Sequence, residues 1–163
     1  MTEQWSRVGT GMVIYNHLGQ ILMGKRLSPY ANNKWSNAGG RLEFGEDPMD
    51  CAIRECFEET NLKITKVEER GYLVDEENYN VEVRHWVTLM FSGLVFNMAD
   101  LENVEPTKHS DWRWFHLDEL PEDTWEPMKH WWRANKNASH LLSDLQVRHG
   151  ARGLNFVTEN KKS

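Results

Sequence analysis

The chain has 163 residues, enough for one domain with its own core, and its eight tryptophans and abundant charged residues describe a globular rather than a disordered protein. The formal net charge is −6 and there is no run of Lys or Arg, which argues against duplex DNA or RNA as a partner, because a long phosphate backbone recruits clustered basic residues. No apolar stretch of about 18 residues and no signal-peptide pattern is present, so the expectation is a cytoplasmic protein with no membrane segment.

In chain order, residues 8–15 read as a strand, 16–19 (Asn-His-Leu-Gly) as a turn, and 20–26 as the returning strand. Residues 27–34 form a polar loop. Trp35 leads into Ala38-Gly39-Gly40, where backbone is expected to approach something closely, followed by a short strand at 41–42 and a turn at Phe44-Gly45. The spacing predicts a helix over 47–60: Asp47 can cap it, Pro48 suits the first helical position, Asp50 stands at a capping-box position, and Asn61 suits a left-handed exit. Residues 62–74 and 81–96 read as long strands around a polar loop at 75–80. A loop over 99–110, a strand over 111–115, a turn at 118–121 and helices over 127–136 and 139–148 complete the pattern, with a loose tail over 150–163. We expect a single domain over residues 1–163. The only cysteines, Cys51 and Cys56, point roughly 140° apart on the predicted helix; they read as unbridged, core-lining residues of a reducing compartment.

On a helical wheel, Met49, Ile53, Cys56 and Thr60 form one stripe with Ala52 and Phe57 at its edges. Glu55, Glu58 and Glu59 occupy an arc of roughly 100° on another side. Like charges at these spacings repel, and only Arg54 offers local relief. Such a cluster suits a hard divalent cation, Mg²⁺ or Mn²⁺, which prefers oxygen ligands. A solvated acidic face would give the same wheel, so the surroundings decide.

Those surroundings are Gly40-x5-Glu46-x7-Arg54-Glu55-Cys56-x-Glu58-Glu59-x-Asn61-Leu62. This segment resembles the signature of the Nudix hydrolases, with every charged position at the right spacing and Asn61 in place of the second glycine. Gly24-Lys25-Arg26 before it, and Trp112-Arg113-Trp114-Phe115 ahead of Asp118-Glu119-Leu120-Pro121, sit where the family has similar segments. Asn103-Val104-Glu105-Pro106 followed by Lys108 is similar to the branch that removes unwanted nucleoside triphosphates, the mutator-T-like branch.

The resemblance implies a Nudix α/β/α sandwich of α+β class, with a mixed sheet between the signature helix and C-terminal helices. It implies Glu58 and Glu59 as main metal ligands, Glu55 as a further ligand or the general base, and the Gly40 carbonyl completing the metal shell. Arg54 is expected to orient the carboxylates and Glu46 to brace the loop entering the helix, close to the substrate. Of Lys25 and Arg26, which alternate on a strand, Arg26 is the expected phosphate contact. Gly39 and Gly40 are expected at the substrate, and Trp35 suits either stacking on a base or a place in the core. Trp86, Trp112 and Trp114 read as core.

Ala38 replaces a proline common in relatives. Thr107 stands where the branch often has an acid, so an additional metal site would need Glu105 or Asp111 instead. His109 is a candidate base, since a nucleotide-sugar branch uses a loop histidine in a similar place. The expected reaction is hydrolysis of a nucleoside or deoxynucleoside triphosphate to the monophosphate and pyrophosphate. A nucleotide-sugar or ADP-ribose hydrolase is the alternative enzyme, and a non-catalytic nucleotide-sensing module the alternative of another class. The retained carboxylates argue against the latter. A small-molecule substrate is expected, and the tryptophan-rich composition suits a homodimer interface.

Overall fold

The computed structural model describes residues 5–79, 82–95, 97–135, 147–150 and 153–156. The chain runs β1 (Ser6–Tyr15), β2 (Gln20–Arg26), β3 (Trp35–Ser36), β4 (Ala38–Arg41), α1 (Pro48–Thr60), β5 (Ile64–Tyr79), β6 (Glu82–Val95), β7 (His109–His116) and α2 (Glu126–Asn135), with a terminal pair β8 (Val147–Gly150) and β9 (Gly153–Phe156). The main sheet is mixed. β1 lies parallel to β6 along its whole length, while β2 and β4 pair antiparallel with different halves of β1. β7 flanks β2, and β5 forms an edge beyond β6.

Strand periodicity explains the layers. Successive side chains point to opposite faces, so Val13 and Tyr15 of β1, with Ile21 and Met23 of β2, pack on one side against Met128, Trp131 and Trp132 of α2. Met12, Ile14 and Leu22 pack on the other side against Ala52 and Cys56 of α1. A strand buried on both faces reads as a continuous apolar run, as Met12–Tyr15 does. The α/β/α sandwich expected from the resemblance is therefore present. Among the described residues no helix is long and apolar enough to cross a membrane.

Four departures have physical causes. The polar run 75–79 continues β5 instead of forming a loop, because Asp75 and Glu76 pair with Trp86 and His85 of β6; cross-strand pairing overrides composition. β7 begins at His109, two residues earlier than expected, because Arg26 of β2 already pairs with His109. Phe57 is exposed and Cys51 buried, so the packed stripe of α1 is rotated toward Cys51, Ala52, Cys56 and Thr60. Finally, 147–148 belong to a strand, and 153–156 pair with it, in place of the helix end and loose tail that the sequence predicts; 139–146 lie outside the described residues.

Candidate active site

α1 begins and ends as its sequence dictates. Asp47 accepts hydrogen bonds from the backbone amides of Met49 (2.8 Å) and Asp50 (3.4 Å), and Asn61 exits with φ 59°, its amide bonded to the Phe57 carbonyl. The cap is thus made by Asp47 rather than by a reciprocal box with Asp50. Two backbone segments then meet the helix. From one side, β4 brings Gly39 and Gly40 onto it. From the other, the 102–108 loop covers its end, with the amides of Glu102 and Val104 donating to the carbonyls of Thr60 (3.0 Å) and Glu59 (3.2 Å). These bonds satisfy helix-terminal acceptors that would otherwise lack partners.

The glycine pair is required by proximity. Gly39 has φ 154°, and a Cβ there would stand 2.1 Å from the Thr10 carbonyl oxygen; a Cβ on Gly40 would stand 2.2 Å from the Glu55 carboxyl carbon. The Gly39 amide donates to Glu59 Oε2 at 3.0 Å. Glu55 and Glu59 are consequently buried, at 8% and 2% exposure, yet both line a cleft shared with Gly39, Gly40, Arg41, Arg26, Lys108 and His109. The Gly40 carbonyl oxygen lies on the β1 side, beside Gly9.

The third carboxylate stands apart. Glu58 is exposed at the outer rim, bonded to Arg54 Nη1 at 3.1 Å, and does not line the cleft. Among the described residues no three acidic, His or Cys side chains converge into a ready-made metal cage. The three-carboxylate arc read from the wheel is thus divided, with Arg54 bonded to a carboxylate on each side of the division. Its guanidinium holds Glu46 through Nε (2.7 Å) and Nη2 (3.0 Å), and Glu55 (2.9 Å) and Glu58 through Nη1. Arg54 is thus hydrogen-bonded to Glu46, Glu55 and Glu58. Its bond to Glu46 holds that carboxyl down to about 2. Glu46 also accepts the Glu43 amide at 3.1 Å. It is bonded within the loop that enters α1 and does not line the cleft.

Burial pushes Glu59 up to about 8, and the nearby Glu55 carboxylate adds to the rise. A buried carboxylate with one amide donor and a like-charged neighbour is under-compensated. Hard oxygen donors in that condition fit a divalent cation, which would favour the ionised form.

The remaining expected residues are distributed unevenly. Arg26 lines the cleft, its Nη2 donating to Ser28 Oγ at 3.0 Å, whereas Lys25 turns away, 3.5 Å from Asp123 and above the Trp35 ring. Trp35 is in the core against Phe115 (ring centroids 5.0 Å) and does not line the cleft. His109 is buried, its Nδ1 3.8 Å from Glu59 Oε1, which is beyond hydrogen-bond reach. Burial pushes its ring down to about 4, so it is neutral at neutral pH. Glu105 is paired with Lys108 (2.7 Å) and does not line the cleft; Lys108 does.

A second cavity, about 280 Å³, adjoins the first. Arg26, Gly39, Gly40 and Arg41 line both, and Tyr30, Asn37, Asp75, Trp86, Thr88 and Trp125 are among the residues that complete it. The sequence pattern alone assigns Trp86 to the core and does not single out Trp125, Tyr30 or Lys108 as site residues. The one legible signal is the position of Lys108 shortly after the Asn103-Val104-Glu105-Pro106 segment.

Comparison with known proteins agrees with this geometry. The NUDIX domain model matches residues 5–134. The chain is 27% identical over 144 aligned residues to an RNA pyrophosphohydrolase of Bartonella quintana, spanning 76% of this chain and 83% of that one. It is 29% identical to the RNA pyrophosphohydrolase of Bartonella bacilliformis, over 71% and 80% of the two chains. Among solved structures, a MutT NUDIX hydrolase from Burkholderia pseudomallei superposes with a TM-score of 0.68 at 26% identity, covering 80% of this chain and 98% of that one. The MutT protein of Methanosarcina mazei Go1 shares the fold (TM-score 0.72, 19% identity, 85% and 99% coverage). The domain match extends over both layers of the sandwich and the whole carboxylate cleft, and on that basis the chain belongs to the Nudix family as a hydrolase of pyrophosphate bonds.

Proposed function

We propose that the protein hydrolyses nucleoside or deoxynucleoside triphosphates to the monophosphate and pyrophosphate, with Mg²⁺ as cofactor and Mn²⁺ as a substitute. The observation that carries this reading is that the two cavities adjoin, with Arg26, Gly39, Gly40 and Arg41 lining both. A phosphate chain beside Glu55 and Glu59 leads past Arg26 and Arg41 into a space of about 280 Å³ walled by Trp86 and Trp125. That volume is close to the lower bound for small-molecule sites, about 300 Å³, and suits one nucleoside.

Bound Mg²⁺ supplies neutralisation of phosphate oxygens and a lowered pKa for the attacking water. Glu59 and Glu55 would hold the cation, and Glu58 would join them only by leaving its bond to Arg54. Glu55 is also placed to take the proton of the attacking water. Arg26 and Arg41 hold phosphate oxygens, and Arg54 with Glu46 keeps the carboxylates and the entering loop in register. Water adds to phosphorus, the P–O bond to the leaving group breaks, and pyrophosphate departs.

A second reading places the same triphosphate at the 5′ end of an RNA, and the names of the curated relatives favour it. The net charge of −6 and the lack of a basic run favour the free nucleotide, because a polynucleotide gains affinity from many phosphate contacts. Steady-state rates on a panel of nucleoside triphosphates, nucleotide sugars, ADP-ribose and a 5′-triphosphorylated oligoribonucleotide decide between them, with products resolved by chromatography. We expect kcat/KM for at least one free triphosphate to exceed that for the RNA. The reverse order would reassign the substrate.

A further inference from the structure

The loop 102–108 positions a cation that the signature does not contain. Lys108 stands in the carboxylate cleft and not in the nucleoside cavity, whereas Arg26 and Arg41 line both. Across the two adjoining cavities the shared arginines and glycine pair therefore stand between the nucleoside wall and the carboxylates with Lys108. A ligand with its base in the nucleoside cavity reaches Lys108 only with the far end of its phosphate chain.

The loop holds this lysine from both sides. The Leu27 amide, adjoining Arg26, donates to the Lys108 carbonyl at 2.8 Å, and the Lys108 amide donates to the Glu105 carbonyl at 2.9 Å. Asn103 Nδ2 donates to the His109 carbonyl at 2.8 Å. At its other end the loop is fixed to α1 through the Glu102 and Val104 amides. The side chain is held as well, ion-paired with Nζ 2.7 Å from Glu105 Oε2. An ammonium has three hydrogens, so this pairing leaves it able to donate to a ligand. Glu105 thus serves as an anchor for the lysine, which explains an acid that faces no cleft.

Resting on the nucleotide reading above, we propose that Lys108 binds the terminal phosphates of the substrate, the part released as pyrophosphate, and makes the enzyme select triphosphates over diphosphates. A point charge at the distal end contacts a third phosphate and misses a chain one unit shorter, so the discrimination is by length and independent of the base.

The test uses Lys108→Met and the charge-conserving Lys108→Arg, with Lys129→Met, on α2 and outside the cleft, as a control for net charge. Calorimetric titration with inorganic pyrophosphate in Mg²⁺ should show binding at least about tenfold weaker in Lys108→Met, with a smaller loss for inorganic phosphate. Lys108→Arg should recover most of the affinity and Lys129→Met should match wild type. With ATP, GTP, CTP and UTP against their diphosphates, Lys108→Met should raise KM for the triphosphates at least about tenfold and leave the diphosphates within about twofold. Unchanged pyrophosphate affinity in Lys108→Met, no pyrophosphate binding by the wild type, or equal losses on tri- and diphosphates would each overturn the proposal. If no nucleotide is hydrolysed but pyrophosphate binding still depends on Lys108, the nucleotide reading fails and the assignment of Lys108 stands.

Discussion

In the proposed mechanism Glu59 concentrates the chemistry of the site in one side chain. It is 2% exposed, accepts one hydrogen bond from Gly39, and faces Glu55 within the same cleft. Replacing it with Gln keeps the size and the acceptor oxygen that meets the Gly39 amide while removing the charge. Turnover should fall on the order of a hundredfold or more, with the far-UV circular dichroism spectrum unchanged. Activity near wild type in Glu59→Gln would remove the carboxylates from the mechanism. At this scale the sequence singles out the candidate carboxylates and is silent about their orientation. Helical spacing puts Glu55, Glu58 and Glu59 on one arc, but Glu58 and Glu59 differ by only about 100°. Which of them turns inward depends on where β4 lies, and no local pattern encodes that. The same limit applies to Trp35 and Trp86. Both are aromatic residues on strands, and only the tertiary packing sends the first to the core and the second to the cavity wall.

At the level of the element, β4 and α1 form the unit on which the site is built, and the two glycines contribute differently. Gly39 faces backbone: its φ of 154°, and the Thr10 carbonyl oxygen 2.1 Å from where a Cβ would stand, leave nothing that can move cheaply. Gly40 faces a side chain, the Glu55 carboxyl, which can rotate. Gly39→Ala should therefore lower stability sharply, by about 2 kcal/mol or more, read as a shifted urea midpoint. Gly40→Ala should keep most of the stability and lose activity by displacing Glu55. The opposite pairing would mean that the carboxylate, not the backbone, sets the packing of β4. Elements with local signals are legible. Asp47, Pro48 and Asn61 mark both ends of α1, and Met12–Tyr15 marks a strand buried on both faces. The 75–79 stretch is not, since its pairing with β6 is non-local and its composition is that of a loop.

For the whole molecule, the proposed cation would couple binding to folding. Two buried carboxylates four residues apart on α1 repel one another in the folded chain, and burial already pushes Glu59 up to about 8. A cation that binds the folded state alone stabilises it by RT ln(1 + [L]/Kd), about 2.7 kcal/mol at a hundred times Kd. For a chain of this size that corresponds to a rise in Tm of roughly 5–10 °C. Wild-type protein in chelator should therefore unfold several degrees below the same protein in saturating Mg²⁺, and Glu59→Gln should show less than about half of that rise. Ionic strength matched with K⁺ separates site binding from screening of the net charge of −6. An equal rise with K⁺ would mean that the carboxylates respond to diffuse screening, and that the pair beside Gly39 and Gly40 holds no ion.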